Sequence, residues 1–287
     1  MPSRRRGRRQ AMLDVPTRSW LHLDTLADAS DASLVGPRDS RIQEIRTTVY
    51  PWNTIVYLCR DFGGGACSGC SGVLIAPRLV LTAGHCVWSL RHRRAPRSIR
   101  VCPGRRDRDT LPYGAIEATA TYAPAAFVRG PDRTVADWGL IVLPKAFRGI
   151  ERFMALHAPD DAEVKRIASH GLVSVAGYPS DRPIGTLWRH AERLKRATNL
   201  RLFYTVDTCP GHSGSPIFVG GAQLRIVGVH TAGVLDPEGR SYGCKRDTTL
   251  APLGALNSGI RLTAAMIGAI RKIQSGEPVP ESMMRLP

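Results

Sequence analysis

From residue 50 to 262 the chain alternates short apolar, often β-branched runs with Gly, Pro and Asp punctuation. The runs "TIVYLC", "GVLIA", "LVLTAG", "SIRVC", "AIEATATYA", "WGLIVL", "LVSVAGYP", "RLFYTVDT", "SPIFV" and "LRIVGVHTAG" predict strands. That number exceeds what one small barrel holds, so the pattern predicts an all-β chain of two packed barrels divided within residues 144–170. Barrel 1 is expected over about 45–145 and barrel 2 over about 165–262. After "GIRLT" the period changes: Thr263 can cap a helix in which Met266, Ile267, Ile270 and Ile273 recur at helical spacing. This C-terminal α-helix is expected over about 263–274, followed by a tail over 276–287.

Length and composition set outer bounds. The 287 residues suffice for a sizeable core, and no run of eighteen apolar residues is present to span a membrane. The formal charge of +16 points first to an acidic partner. Its distribution weakens that idea, because five of the 40 basic residues are lysines and the other 35 are arginines spread along the chain. The densest cluster, "RHRRAPRSIRVCPGRRDR" over 91–108, lacks the interleaved aromatics of a base-stacking surface. It therefore reads as a solvated loop, and neither a nucleic-acid nor a membrane partner is expected. "MPSRRRGRRQ" resembles the start of a twin-arginine address, but Asp14, Asp24, Asp28 and Asp31 interrupt the apolar stretch such a signal needs. Residues 1–34 are expected to be a disordered or propeptide-like leader.

Three stretches carry chemistry: "LTAGHCV" with His85, "ADWGLIVL" with Asp137, and "GHSGSP" with Ser213. A serine hydroxyl attacks a carbonyl only when an imidazole takes its proton, and a buried carboxylate must orient that imidazole. Taken singly, each stretch also fits a structural turn or flexible loop. Together they run in the order His, Asp, Ser, at separations of 52 and 76 residues, each beside an apolar β run. The order and the lack of βαβ alternation exclude the α/β-hydrolase pattern.

On these motifs the chain resembles the chymotrypsin-fold serine endopeptidases, and most closely their bacterial glutamyl endopeptidase branch. The resemblance extends over about residues 35–275. "RTTVYPWNTIVYL", "VAGYPSDRPIGTLW" and "NSGIRLT" match that branch as well. It implies two six-stranded Greek-key β-barrels, His85 as general base and then acid, Asp137 as its orienting carboxylate, and Ser213 as nucleophile. The N–H groups of Gly211 and Ser213 would form the oxyanion hole, and Thr231, Ala232 and Gly233 would pair with the substrate backbone as an added strand. A protein or peptide substrate, a monomer and no cofactor follow. Where chymotrypsin and trypsin carry an aspartate before the nucleophile, this chain has His212, so activation by an ion pair there is not expected. His212 is expected to face solvent.

Seven cysteines leave at least one unpaired. The resemblance implies Cys70 with Cys86 and Cys209 with Cys244; of the remainder, Cys59 is expected to join Cys67, leaving Cys102. A zinc site on Cys67 and Cys70 is the rival reading, but no second C-x-x-C exists and no metal is expected. Disulfides point to a secreted or periplasmic protein, although no signal peptide is recognisable.

Specificity is open. Asp207 stands where trypsin-like enzymes place the carboxylate that receives Arg or Lys, whereas His230 and Thr208 match the pair with which glutamyl endopeptidases contact an acidic side chain. The resemblance favours acidic side chains; basic specificity through Asp207, a proteolytically silent binding module, and an esterase are the alternatives.

Overall fold

Every residue from Ile55 to Arg60 is buried, as expected of a strand covered on both faces, and this run lies within the first of two sheets. The computed structural model describes residues 35, 36, 38–131, 133–232, 244 and 256–287. The leader expected over 1–34 and Gly233 lie outside the described residues.

The chain enters through a two-residue strand, β1 (Ile42–Gln43), and then lays down β2 (Ile55–Asp61), β3 (Cys67–Ala76) and β4 (Leu79–Thr82). A single helical turn, α1 (Gly84–Val87), carries His85. Strands β5 (Ser98–Pro103), β6 (Ile116–Glu117) and β7 (Ala120–Pro124), the short helix α2 (Ala125–Arg129) and β8 (Gly139–Val142) follow. The crossover to the second half contains β9 (Ala155–Leu156) and helix α3 (Asp161–His170). The second half comprises β10 (Val173–Gly177), β11 (Trp188–Glu192), β12 (Leu194–Ala197), β13 (Arg201–Tyr204), β14 (Pro216–Val219), β15 (Arg225–Ala232) and β16 (Asn257–Arg261). Helix α4 (Ala264–Ser275) and a last strand, β17 (Met283–Arg285), complete it.

The first sheet has the order β17-β7-β8-β4-β3-β2-β5-β6, and the second β1-β11-β10-β14-β15-β16-β13-β12 with β9 added parallel to β15. All other pairings are antiparallel, as an all-β double barrel requires. Two ends of the chain cross over. Strand β1 pairs with β11 of the second sheet, Ile42 opposite Arg189, while β17 pairs with β7 of the first, Met283 opposite Pro124. The first sheet thus has eight strands and the second nine among the described residues, counting the short β17, β6, β1 and β9.

Helix α3 has no counterpart among the sequence expectations, although its signals are present: Asp160 accepts the Glu163 N–H at 2.7 Å as N-cap, and Val164 and Ile167 share a face. Thr263 caps α4 by accepting the Met266 N–H, and Gly276 ends it at φ +75°. The apolar stripe of α4, Met266, Ile267 and Ile270, is buried. Met266 and Ile270 join a core that runs from Val56 and Leu140 in the first sheet to Val229 and Ile260 in the second, while the second sheet also encloses a separate cluster that includes Val173, Leu202, Tyr204 and Ile217.

Candidate active site

His85 is placed by the turn that follows β4 and is only 5% exposed. Its backbone N–H donates to Oδ1 of Asp137 at 2.9 Å, and its ring Nδ1 lies 2.8 Å from Oδ2 of the same carboxylate. This double contact fixes the imidazole by backbone and ring together, with Asp137 itself buried just before β8. Among the described residues Nε2 of His85 has no hydrogen-bond partner. The ring thus presents one nitrogen to the carboxylate and keeps the other buried, without a hydrogen-bond partner among the described residues.

Ser213 stands in the turn before β14 and is fully buried. Its carbonyl accepts the Ser71 N–H at 2.8 Å, which ties the turn to β3 of the first sheet. Gly214, at φ +86°, makes the close approach possible: a Cβ there would lie 2.1 Å from both the Ser71 carbonyl and Thr82 Oγ1. Thr82 is three residues before His85, so the serine turn is seated directly against the segment that carries the imidazole.

Gly211 has φ +94°, and a Cβ there would come within 2.4 Å of the Tyr178 carbonyl. The carbonyl of Pro210 accepts from Ser180 N at 2.7 Å, and the carbonyl of Gly211 accepts from Ser71 Oγ at 2.7 Å. In a trans peptide the N–H points opposite the preceding carbonyl, so these bonds fix the direction of the Gly211 N–H. Ser71 also accepts the Tyr178 N–H at 2.9 Å. A single hydroxyl therefore couples β3 to both sides of the 211 turn, a role that the sequence alone gave no signal for.

His212 corrects an expectation. It is 1% exposed, with Nδ1 3.1 Å from the Cys209 amide nitrogen and 3.2 Å from the Cys209 carbonyl. Burial, reinforced by the nearby Arg41 guanidinium, pushes its pKa down to about 3, so the ring is neutral. It faces inward because the turn that carries it, from Cys209 to Ser213, lies in the interior.

The residues weighed for specificity separate. The carboxylate of Asp207, 4% exposed, accepts Gly36 N–H at 2.7 Å and Ser40 N–H at 2.8 Å, and lies 3.5 Å from His190 Nδ1. Its charge is taken up by the segment entering the fold. That segment is held in turn by Arg41, which bridges Asp39 at 2.8 Å and Asp181 at 2.6 Å, with Arg182 also on Asp39. The Arg41 hydrogen bonds hold the Asp39 carboxyl well below the usual carboxylate range.

His230 and Thr208 are both fully buried. Nδ1 of His230 lies 2.7 Å from the Tyr204 hydroxyl. Burial lowers the His230 pKa, helped by neighbouring imidazoles and Arg201, while burial raises that of Tyr204. Both groups are neutral near pH 7. Thr208 Oγ1 has no hydrogen-bond partner among the described residues. Arg201, buried on β13, donates to Thr231 Oγ1 at 3.4 Å and to Ser258 Oγ. Tyr204 and Arg201 escaped the sequence reading because an aromatic and an arginine in an apolar run read as core and edge. Ala232 ends β15, where the register with β16 shifts between His230 and Ala232.

Cys70 is joined to Cys86 beside His85, Cys209 to Cys244, and Cys59 to Cys67, while Cys102 is a buried free thiol. Each bridge closes a loop and typically contributes about 2–4 kcal/mol. The sulfurs of Cys70 and Cys86 cluster with His85 in metal-like proximity, but as disulfide sulfurs they offer no thiolate to an ion.

No helix among the described residues is long and apolar enough to cross a membrane. The chain is 30% identical over 222 residues to a glutamyl endopeptidase of Bacillus licheniformis, covering 75% of this chain and 65% of the relative. It is also 30% identical over 205 residues to a protein described as an extracellular metalloprotease of Bacillus subtilis, covering 70% and 63%. The chain thus spans a little under two thirds of the length of these relatives. The solved structure of a Glu endopeptidase in complex with MPD superposes with a TM-score of 0.68 at 26% identity, covering 84% of this chain and 99% of that one. The family model described as Trypsin matches residues 41–249, well over half the chain, and the chain belongs to the trypsin family.

Proposed function

We propose that this protein is a serine endopeptidase that hydrolyses peptide bonds through an acyl-enzyme, preferring an acidic residue before the scissile bond. The observation that carries the reading is His85 held by Asp137 through both backbone and ring, with Nε2 unpartnered and the Ser213 turn seated against its segment.

In this reading His85 Nε2 takes the Ser213 hydroxyl proton as Oγ attacks the carbonyl carbon. Asp137 holds the tautomer and stabilises the imidazolium. The N–H groups of Gly211 and Ser213 receive the negative charge on the tetrahedral oxygen; losing one such donor costs about 10²-fold or more. His85 then gives its proton to the departing amine, and water repeats the sequence to release the acid. Thr231, Ala232 and Gly233 pair with the substrate backbone on the acyl side.

Preference for an acidic side chain is supported by the Thr208 hydroxyl, unpartnered among the described residues, the neutral His230 and the Arg201 guanidinium beside Thr231. Basic specificity is disfavoured, because Asp207 already receives two backbone N–H groups and neighbours His190. The three disulfides favour an oxidising, extracytoplasmic location, and the protein is taken to act as a monomer on protein or peptide substrates.

A fluorophosphonate probe should label the protein and fail to label Ser213→Ala; equal labelling of both refutes the nucleophile. Digestion of a peptide library should place cuts after Glu, and cuts concentrated after Arg or Lys would reverse the preference.

A further inference from the structure

The arginine cluster of residues 91–108 is absorbed by none of this chemistry. Between Cys59 and Arg108 the chain carries ten arginines and two carboxylates, Asp61 and Asp107, the latter accepting the Asp109 and Thr110 N–H groups at 2.9 and 2.7 Å. Asp61 is occupied locally, its Oδ1 accepting the Gly63 N–H at 2.7 Å. Two loops that leave the first sheet on either side of His85, residues 61–67 and 88–97, are fastened to one another. Arg97 N–H donates to the Asp61 carbonyl at 2.7 Å, Arg94 donates to the Phe62 carbonyl, and the rings of Phe62 and His92 lie 5.4 Å apart. The second loop is internally built: Ser89 N–H donates to the Arg94 carbonyl at 2.9 Å and Ser89 Oγ accepts the His92 N–H at 3.1 Å. The first is closed by the Cys59–Cys67 bridge.

This double loop is continuous with the catalytic element. Arg60, at the root of the first loop, donates from Nη1 to the His85 carbonyl at 3.0 Å, and Cys86 is bridged to Cys70. Arg93 sits near the tip of the second loop at φ 50°, a conformation a bulky side chain rarely adopts. Arg93 and Arg97 are exposed, and neither forms an ion pair among the described residues. Their charge faces solvent on a scaffold held in place by backbone bonds and two disulfides.

We propose that this basic lip recognises acidic residues on the C-terminal side of the scissile bond, so that the favoured substrate is an acidic peptide segment entered from its leaving-group side. The proposal rests on the reading of His85 as the acid that protonates the departing amine. That step places the leaving segment on the imidazole's side of the cleft, next to the loops tied to His85, while the acyl side pairs with the end of β15. An extended segment advances about 3.3 Å per residue, so its second to fourth residues after the bond pass along the lip. A nucleic acid is the less favoured occupant, because Phe62 and His92 stack on each other and leave no row of aromatic platforms.

Three fluorogenic peptides test this with the full chain. They share every residue up to and including the scissile bond, carry Glu-Asp-Glu, Gln-Asn-Gln or Lys-Lys-Lys at the second to fourth positions beyond it, and are scored only for cleavage at the shared bond, identified by mass spectrometry of the products. The acidic tail should raise kcat/KM about 3- to 10-fold over the neutral one at low salt, mainly through KM, and the advantage should fall below about twofold in 0.5 M NaCl. Arg93→Ala with Arg97→Ala should shrink that advantage to about twofold, and reversal of both to Glu should favour the lysine tail. The neutral peptide reports whether the variants retain their fold and site, and its kcat/KM should not change. An acidic advantage that survives the charge reversal, or none in the wild type, overturns the proposal. If an oligonucleotide binds at the lip while the three peptides are cleaved alike, the lip is a nucleic-acid surface and the proposal fails. Cleavage of none of the peptides overturns the active-site reading and this proposal with it, whereas equal cleavage of all three overturns this proposal alone.

Discussion

The Tyr204 hydroxyl lies 2.7 Å from His230 Nδ1, and both side chains are fully buried. When the neutral phenol donates to Nδ1, it fixes the imidazole proton of the uncharged histidine on Nε2. Tyr204→Phe removes that donor and leaves Nδ1 buried without it. The expected result is a loss of stability of about 1–3 kcal/mol and a several-fold fall in the preference for Glu over Gln peptides, read as the ratio of kcat/KM values. An unchanged ratio would separate Tyr204 from specificity.

Asp137→Asn keeps the shape at the imidazole but lets the amide favour the wrong tautomer of His85. kcat should drop by about 10³–10⁴-fold with KM little changed. Steady-state kinetics on a single Glu peptide decide it.

Ser71→Ala removes the bond that fixes the Gly211 carbonyl and an acceptor for Tyr178 N–H. With the turn less firmly held, kcat should fall about tenfold and thermal stability by about 1–2 kcal/mol, as expected for a buried hydrogen bond broken on one side. Rescue by Ser71→Thr but not by Ser71→Val would assign the effect to the hydroxyl.

Asp207→Asn weakens the acceptors for the Gly36 and Ser40 N–H groups. The melting temperature should fall while the pattern of cut sites stays the same. A change in cleavage after Arg or Lys would return Asp207 to the substrate pocket.

Stability should decline in acid. His212 takes up a proton in the unfolded chain near pH 6.5 but in the fold only near pH 3, so the unfolded state binds more protons between those values and stability rises with pH there. The contribution is complete above about pH 6.5 and is lost progressively as pH falls toward 3, with a slope of at most about 1.4 kcal/mol per pH unit. His230, also lowered by burial, acts in the same direction, and the lowered Asp39 adds to it below about pH 4. Melting temperatures measured from pH 8 to pH 4 should trace this fall, and His212→Gln should flatten it.

The strands that bury both faces, such as β2 and β15, were legible because their apolar runs leave no other option. Strands β11 and β12 were not, since "WRHAERLKRA" is half polar and both strands are only partly covered. His85, Asp137 and Ser213 could be picked out by order and context, because each sits at the end of an apolar run. The supports of the site were hidden for the opposite reason. Ser71, Arg41 and Tyr204 act through contacts 140, 140 and 26 residues away in the chain, and no local pattern marks such a partner. His212 misled because a polar residue in a Gly-rich turn ordinarily faces water, whereas here the turn itself is interior.

Strand β17 closes onto β7 through Met283 and Pro124, with Leu286 N–H donating to the Thr121 carbonyl at 2.9 Å. The half of the molecule made first therefore waits for residues 283–286 before its edge is covered. In the order of synthesis His85, Asp137 and Ser213 all precede β17, so a chain interrupted after α4 would hold all three while the β7 edge of the first sheet stayed open. The fold thereby ties completion of the first sheet to the arrival of β17.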